Sequence, residues 1–303
     1  MSTNVEGDVD FFDLAPFITE RTLRSAGGRL RDPRVKGLLD AGMRLLLDRI
    51  DSGIGSPFRF SSRDDVCAEA LYHPPFRIGP VEDDPDGLAR AVPLRGPGER
   101  AALESARNAF DQTWSRLEHY HADLAMYTLT MPAWFAGGEI AATAMQRLAD
   151  RAEGLDTVLE QVAFENLKLF EDSLFRVQLV MQAMAPGEDL IRDALDRMYG
   201  NIDRTWTLVY QGFLDRFEAK LRPDVSVLDI THILTAVAEG SGLRRLVQFD
   251  DESIFDAVRR RSILGKATAC VFAGSIRRNG DQRTVAEFFR ESLTGEQPPA
   301  PQA

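Results

Sequence analysis

The stretch that decides the fold is ITHILTAVAEGSGLRRLV, Ile230–Val247, followed after an acidic break by RRSILGKATACVFAGSIR, Arg260–Arg277. With its flanks, from Asp224 to Arg278, it reads as two helices. Ser226 opens the first with Asp229 three residues on, a spacing at which each side chain satisfies a free backbone N–H of the first turn. Apolar residues then recur at helical spacing through Leu228 or Ile230, Ile233 or Leu234, and Val237. Small residues line a neighbouring stripe at Ala236 and Gly240, before Ser241 and Gly242. Phe249, Asp250 and Asp251 interrupt the pattern. The second helix is expected to carry Ile254, Phe255, Val258, Leu264, Val271 and Phe272. Its small residues, Gly265, Ala269 and Ala273, fall four apart and so on one face. A face of small side chains lets helices approach closely, which suits docking within the chain or against a second copy.

This pattern of small and apolar residues in register over two helices resembles the C-terminal end of tetracycline-repressor family transcriptional regulators. In that family the last two long helices pair with their copies in a second subunit as a four-helix bundle. The resemblance implies an all-α fold with a small helix-turn-helix-like head, a larger helical bundle and a C-terminal helix pair for dimerisation. It implies a homodimeric, DNA-binding regulator, a repressor, whose bundle takes a small apolar or aromatic effector. The interface it implies comprises Ala236, Gly240, Leu264, Gly265, Ala269, Phe272 and Ala273. The other reading of the same residues is the core helix pair of an unrelated all-α protein.

Outside this stretch the composition is that of an ordinary globular protein. The 303 residues are 44% hydrophobic and 27% charged, enough to bury one or two substantial cores. No window is long and apolar enough to span a bilayer, so no membrane partner is expected. The N-terminus, MSTNVEGDVDFFD, lacks a basic-then-apolar signal pattern. Cys67 and Cys270 lie too far apart for a disulfide framework or a metal spacing, and a reducing cytoplasm is the plain inference. A net charge of −11 argues against a surface coated for nucleic acid, while leaving room for a local basic head.

Along the chain we expect an acidic tail over 1–20, a degenerate helix-turn-helix-like head over 21–78, and a linker or insertion over 79–98. A helical ligand-binding and dimerisation domain should follow over 99–290, then a disordered tail over 291–303. Charge reverses at the head, where Arg21, Arg24, Arg29, Arg31, Arg34 and Lys36 face only Asp32. This segment reads either as a solvated arm or as one lying along phosphates. Asp32-Pro33 is a good helix start, and Ser62 with Asp65 caps a second, short helix to Ala70. Leu71-Tyr-His-Pro-Pro-Phe76 is similar to the family's closing aromatic signature. On that resemblance Arg63 and Tyr72 join the arginine segment as DNA contacts. The residues of a recognition helix are missing between Ala70 and Leu71, and Pro74 and Pro75 forbid continuing the helix.

From Glu99 the spacing predicts one long helix through Leu103, Phe110, Trp114, Leu117 and Leu124, closed by Pro132. A shorter helix follows from Trp134 to Asp150. Another long one runs from Leu155 to Met184 and the next from Ile191 to Phe217. An aromatic and sulfur-rich set along them is the usual material of a core. In the family the space between these helices is the inducer pocket, which here would be lined by Trp114, Phe175, Met181, Met198, Trp206 and Tyr210. Enzyme motifs are not found. His119 and His121 point to different helix faces, Glu165 and Glu171 flank Lys168 as a surface pattern, and no phosphate loop or nucleophile elbow occurs. No catalytic residue, cofactor or metal is therefore expected. The alternatives are a ligand-binding dimer of the same type that has lost DNA recognition and an unrelated all-α enzyme.

Overall fold

A computed structural model describes residues 14–51, 60–72, 75–76, 96–132, 137–150, 155–171, 173–277 and 280–294. The fold is all-α, with two pairs of two-residue strands among the described residues. Of the tail expected over 1–20, the linker over 79–98 and the disordered tail over 291–303, residues 1–13, 79–95 and 295–303 lie outside the described residues, as do the glycine run after Asp51 and Trp134, whereas Leu14, Phe17 and Ile18 are buried, Pro97 already opens a helix and 291–294 are helical. By packing, the chain divides into two compact units, Met1–Met131 with Arg176–Met198, and Pro132–Phe175 with Tyr199–Ala303. The segment after Pro97 therefore groups with the head rather than with the body that composition assigned it to.

In the first unit, α1 (Glu20–Ala26) is followed by a 3-10 segment at Gly27–Arg31, then α2 (Pro33–Asp51) and α3 (Arg63–Ala70). The Asp32 carboxylate accepts from Arg34 N at 2.9 Å, so the capping read from Asp32-Pro33 is present. Ser62 and Asp65 form the reciprocal capping box of α3. α4 (Pro97–Thr113) packs on both α2 and α3, giving three mutually packed helices. Leu38, Leu39, Leu46, Val66, Phe110 and Tyr120 are fully or almost fully buried.

The long helix expected from Glu99 to Pro132 is two helices. α4 ends at Thr113, and α5 (Leu117–Pro132) follows it. Trp114 turns extended, at φ −118° and ψ 112°, and its indole N–H donates to Asp123 at 2.7 Å. Asp123 is fully buried, and it also accepts from the Thr19 N–H and hydroxyl at 2.9 and 2.6 Å. A carboxylate out of water needs donors of this kind, and the chain breaks its helix to supply one.

The second unit contains α6 (Gly138–Asp150), α7 (Leu155–Lys168), the C-terminal part of α9 (Asp189–Arg216), α10 (Val227–Val247), α11 (Ile263–Ser275) and α12 (Val285–Thr294). The boundary between units falls within α8 (Ser173–Met184) and α9. The helix expected from Leu155 to Met184 is interrupted by a 3-10 turn at Leu169–Glu171. There Phe170 sits against Gly242 of α10, and Glu171 pairs with Arg245.

Ser226 and Asp229 form the capping box that opens α10. The second helix of the opening stretch starts later than its apolar spacing suggested. Ile254, Phe255 and Val258 precede it, in turns and in a hairpin that pairs Phe255 with Ser262 and Asp256 with Arg261. The hairpin turn is held by Asp256, which accepts from Arg259 N at 2.8 Å, and Phe255 stacks on Phe164 of α7 at 4.4 Å. Ser262 then caps α11 by accepting from Gly265 N. Tertiary pairing overrides the helical period here.

Candidate functional site

α10 and α11 each have two faces. Inward, α10 buries Ile230, Thr231, Leu234, Ala238, Ser241 and Gly242, and α11 buries Leu264, Gly265, Thr268, Phe272 and Ser275. Outward, α10 exposes Ala236, Gly240, Leu243 and Val247, and α11 exposes Ala269, Cys270 and Ala273. The interface implied by the family is thus divided. Ala236, Gly240, Ala269 and Ala273 lie on the exposed faces, whereas Leu264, Gly265 and Phe272 face into their own unit. Gly265 does not share its stripe's outward side because it meets α7, where a Cβ at this position would collide with the Glu160 carboxylate. That same carboxylate accepts from Ser262 N at 2.7 Å, beside the start of α11. A Cβ at Gly240, in contrast, would meet open space.

Behind the outward faces lies a small cavity of about 30 Å³ that opens to solvent. α7 supplies an apolar wall with Leu159, Val162 and Ala163, and ends it with Asn166. α9 contributes Trp206 and Tyr210, tilted against one another with ring centroids 5.8 Å apart. Leu234 and Thr235 of α10 and Leu264 and Thr268 of α11 complete it, so the helices with the outward stripe also form the wall. Burial pushes the Tyr210 phenol well above the ordinary tyrosine range, so it remains a donor. Thr268 returns its hydroxyl to the Leu264 carbonyl at 2.8 Å.

Of the six residues expected to line the pocket, Trp206 and Tyr210 do so. Trp114 belongs to an aromatic cluster of the first unit, 5.1 Å from Phe110 and 4.9 Å from Tyr120 between ring centroids. Met181 and Met198 are buried in the first unit as well, and Phe175 packs edge-on to Phe170 at 4.6 Å in the second. Hydrophobic spacing locates α8 and α9, but which unit each turn serves depends on tertiary packing. The α7 wall is absent from the expected set. Its signal is the spacing of Leu159, Val162, Ala163 and Asn166 along one helix face.

The arginine segment is helical, and Arg21, Arg24, Arg29 and Arg31 on it are exposed. Arg24 pairs with Glu20, Arg34 with Asp32 and Lys36 with Asp40, each at 2.6 Å. Arg21 lies 2.6 Å from the His119 ring, and Arg29 donates to the Gln112 carbonyl. Arg63 pairs with Asp111 at 2.5 Å, and Tyr72 is half-buried in the turn after α3. Arg31 is exposed and makes no ion pair among the described residues. The third helix of the head, α4, presents Arg100, Glu104, Asn108 and Asp111 along its exposed side, a sequence with no excess of cations.

No family model matches the chain, and no curated protein or solved structure is found to be similar to it. Among the described residues no helix is long and apolar enough to cross a membrane, and no group of acidic, histidine or cysteine side chains is arranged to hold a metal.

Proposed function

We propose that this chain is a ligand-responsive, cytoplasmic homodimer of the tetracycline-repressor type, a repressor that binds duplex DNA through its first unit. Its second unit takes a small apolar or aromatic effector in the cavity of α7, α9, α10 and α11, and pairs with a second copy through the outward faces of α10 and α11. One observation carries this reading: α10 and α11 line the cavity on one side and expose a stripe of small and apolar residues on the other. An effector that favours one packing of these helices shifts the pairing of two copies, and the coupling is as large as its preference between the two states. Gly240→Arg places a long cation in the exposed stripe. It is expected to convert a dimer to a monomer in sedimentation equilibrium. A wild-type chain that sediments as a monomer at every concentration overturns the reading.

A second reading retains ligand binding and self-pairing but no sequence-specific DNA recognition. It is favoured by the head itself, where Arg24, Arg34 and Lys36 pair with Glu20, Asp32 and Asp40 of the same chain. A gel-shift on the region upstream of its own gene separates the two. In the first reading, changing Arg29, Arg31 and Arg34 to Ala weakens DNA binding and flattens its salt dependence. In the second, the wild-type chain is not retained by duplex DNA at moderate salt.

A further inference from the structure

Resting on the reading of the first unit as the DNA-binding head, we propose that its phosphate-contacting surface is the turn between α4 and α5, with the segment packed beside it. Arg116 of the turn, together with Arg21 and Arg29 held against it, takes the backbone of duplex DNA without reading its bases.

Charge separates two sets of cations in this unit. Arg24, Arg34, Lys36, Arg63 and Arg107 each have a carboxylate partner, in Glu20, Asp32, Asp40, Asp111 and Asp64. Arg21, Arg29, Arg31 and Arg116 are exposed and make no ion pair among the described residues. The fold ties two of these four to the turn that carries a third. Arg21 of α1 reaches the His119 ring at 2.6 Å, and Arg29 donates to the Gln112 carbonyl, on either side of Arg116 in the chain. A guanidinium is a donor only, so the His119 nitrogen facing Arg21 accepts. The other ring nitrogen then carries the proton, 3.2 Å from the Ser115 hydroxyl. Both acceptors are thus uncharged. They position Arg21 and Arg29 and leave the positive charge of each in place. Glu118 is the carboxylate within this turn, against three guanidinium groups. Nothing lies within 4 Å of where a Cβ would stand at Gly27 or Gly28, so a bulky backbone can come close beside Arg29.

The partner follows from the chemistry. Guanidinium groups grip phosphate through paired N–H donors, more specifically than ammonium groups do. Arg21 is tied to α5 and Arg29 to the end of α4, so neither is free to follow a base edge, and the contact is to the backbone. A membrane surface fits less well, because lipid binding needs an apolar face to bury. Leu117, 37% exposed, is the one large apolar side chain exposed in this unit among the described residues.

The test is fluorescence anisotropy of the full-length protein with a labelled random-sequence duplex over a series of salt concentrations. Arg116→Ala and Arg21→Ala are each expected to weaken binding about three- to tenfold at moderate salt and to lower the salt slope by about one. Arg116→Lys keeps the charge and is expected to keep the slope. Arg24→Ala and Lys36→Ala, whose charges are met within the chain, are expected to move the slope less than Arg116→Ala does. No binding of the wild-type chain to duplex, a slope unchanged in Arg116→Ala, an equal loss in Arg24→Ala, or tighter binding to phosphatidylglycerol vesicles than to duplex overturns the proposal. A second probe, the region upstream of its own gene, separates this proposal from the repressor reading. If it binds no more tightly than the random duplex, and Arg116→Ala weakens both, the proposal stands and the sequence-specific repressor fails. If it binds more tightly and Arg116→Ala changes nothing, the repressor stands and this surface fails.

Discussion

Two glycines in the same helix pair make opposite demands. At Gly265 the absent side chain lets α11 close on the Glu160 carboxylate of α7, while at Gly240 the missing Cβ would touch nothing. Gly265→Ala is expected to cost about 1–3 kcal/mol, the usual range for overpacking a close contact. Gly240→Ala in dilute protein should be neutral or stabilising by about 0.5–1 kcal/mol, since alanine favours a helix interior. Urea unfolding of the two variants measures both. Equal effects would show that Gly265 does not set the α7–α11 approach. His121 offers a test of the first unit. Burial lowers its pKa, although the ring nitrogen lies 3.1 Å from the Ser61 carbonyl and the ring stacks on Phe60 at 4.8 Å. The unfolded imidazole takes up its proton near pH 6.5, and the folded one resists. His121 thus contributes stability above about pH 6.5 that is lost as pH falls below it. The pH dependence of the urea midpoint between about pH 7 and 5 should flatten in His121→Gln.

At the scale of elements, helix starts are legible in the sequence because they are local. Ser62 with Asp65 and Ser226 with Asp229 each place donor and acceptor three residues apart, and both boxes form. Ser226→Ala is expected to remove about 1 kcal/mol, readable as a shift in thermal midpoint. Helix ends are less legible because distant residues set them. Nothing near Trp114 in sequence says that its indole must reach Asp123, and nothing in the spacing of Ile254, Phe255 and Val258 says that a hairpin will claim them. The same limit applies to the cavity. Trp206 and Tyr210 can be picked by type, whereas the α7 wall is ordinary in composition and gains meaning only when α11 packs upon it. The arginine segment shows the same limit. Its partners Glu20, Asp40 and His119 lie outside the window in which its charge stands out.

At the scale of the whole molecule, carboxylates set the response to acid. Hydrogen bonds from Arg34, Ser226, Ser253, Arg259, Arg283 and Thr284 hold Asp32, Asp229, Asp251, Asp256, Asp281 and Glu287 below the ordinary carboxylate range. Unfolded carboxylates bind protons near pH 4, before their folded counterparts do. Their stabilisation is therefore complete above about pH 4–5 and lost as pH falls through the folded values. The denaturation midpoint should decline progressively below about pH 4, and Asp32→Asn and Asp281→Asn should each reduce that decline. Division into two units is not legible in composition, because the proline- and glycine-rich run before Pro97 suggests a boundary there. Packing instead keeps α4 with α2 and α3, fastened by Arg63 to Asp111 and Arg107 to Asp64.

Thr235 and Ala236 are consecutive in the chain, yet Thr235 borders the cavity and Ala236 faces solvent. On the proposed reading, a guest that shifted this turn of α10 would carry Ala236 and Gly240 with it. The message that such a guest has arrived would then be a change in surface relief, carried without a hinge.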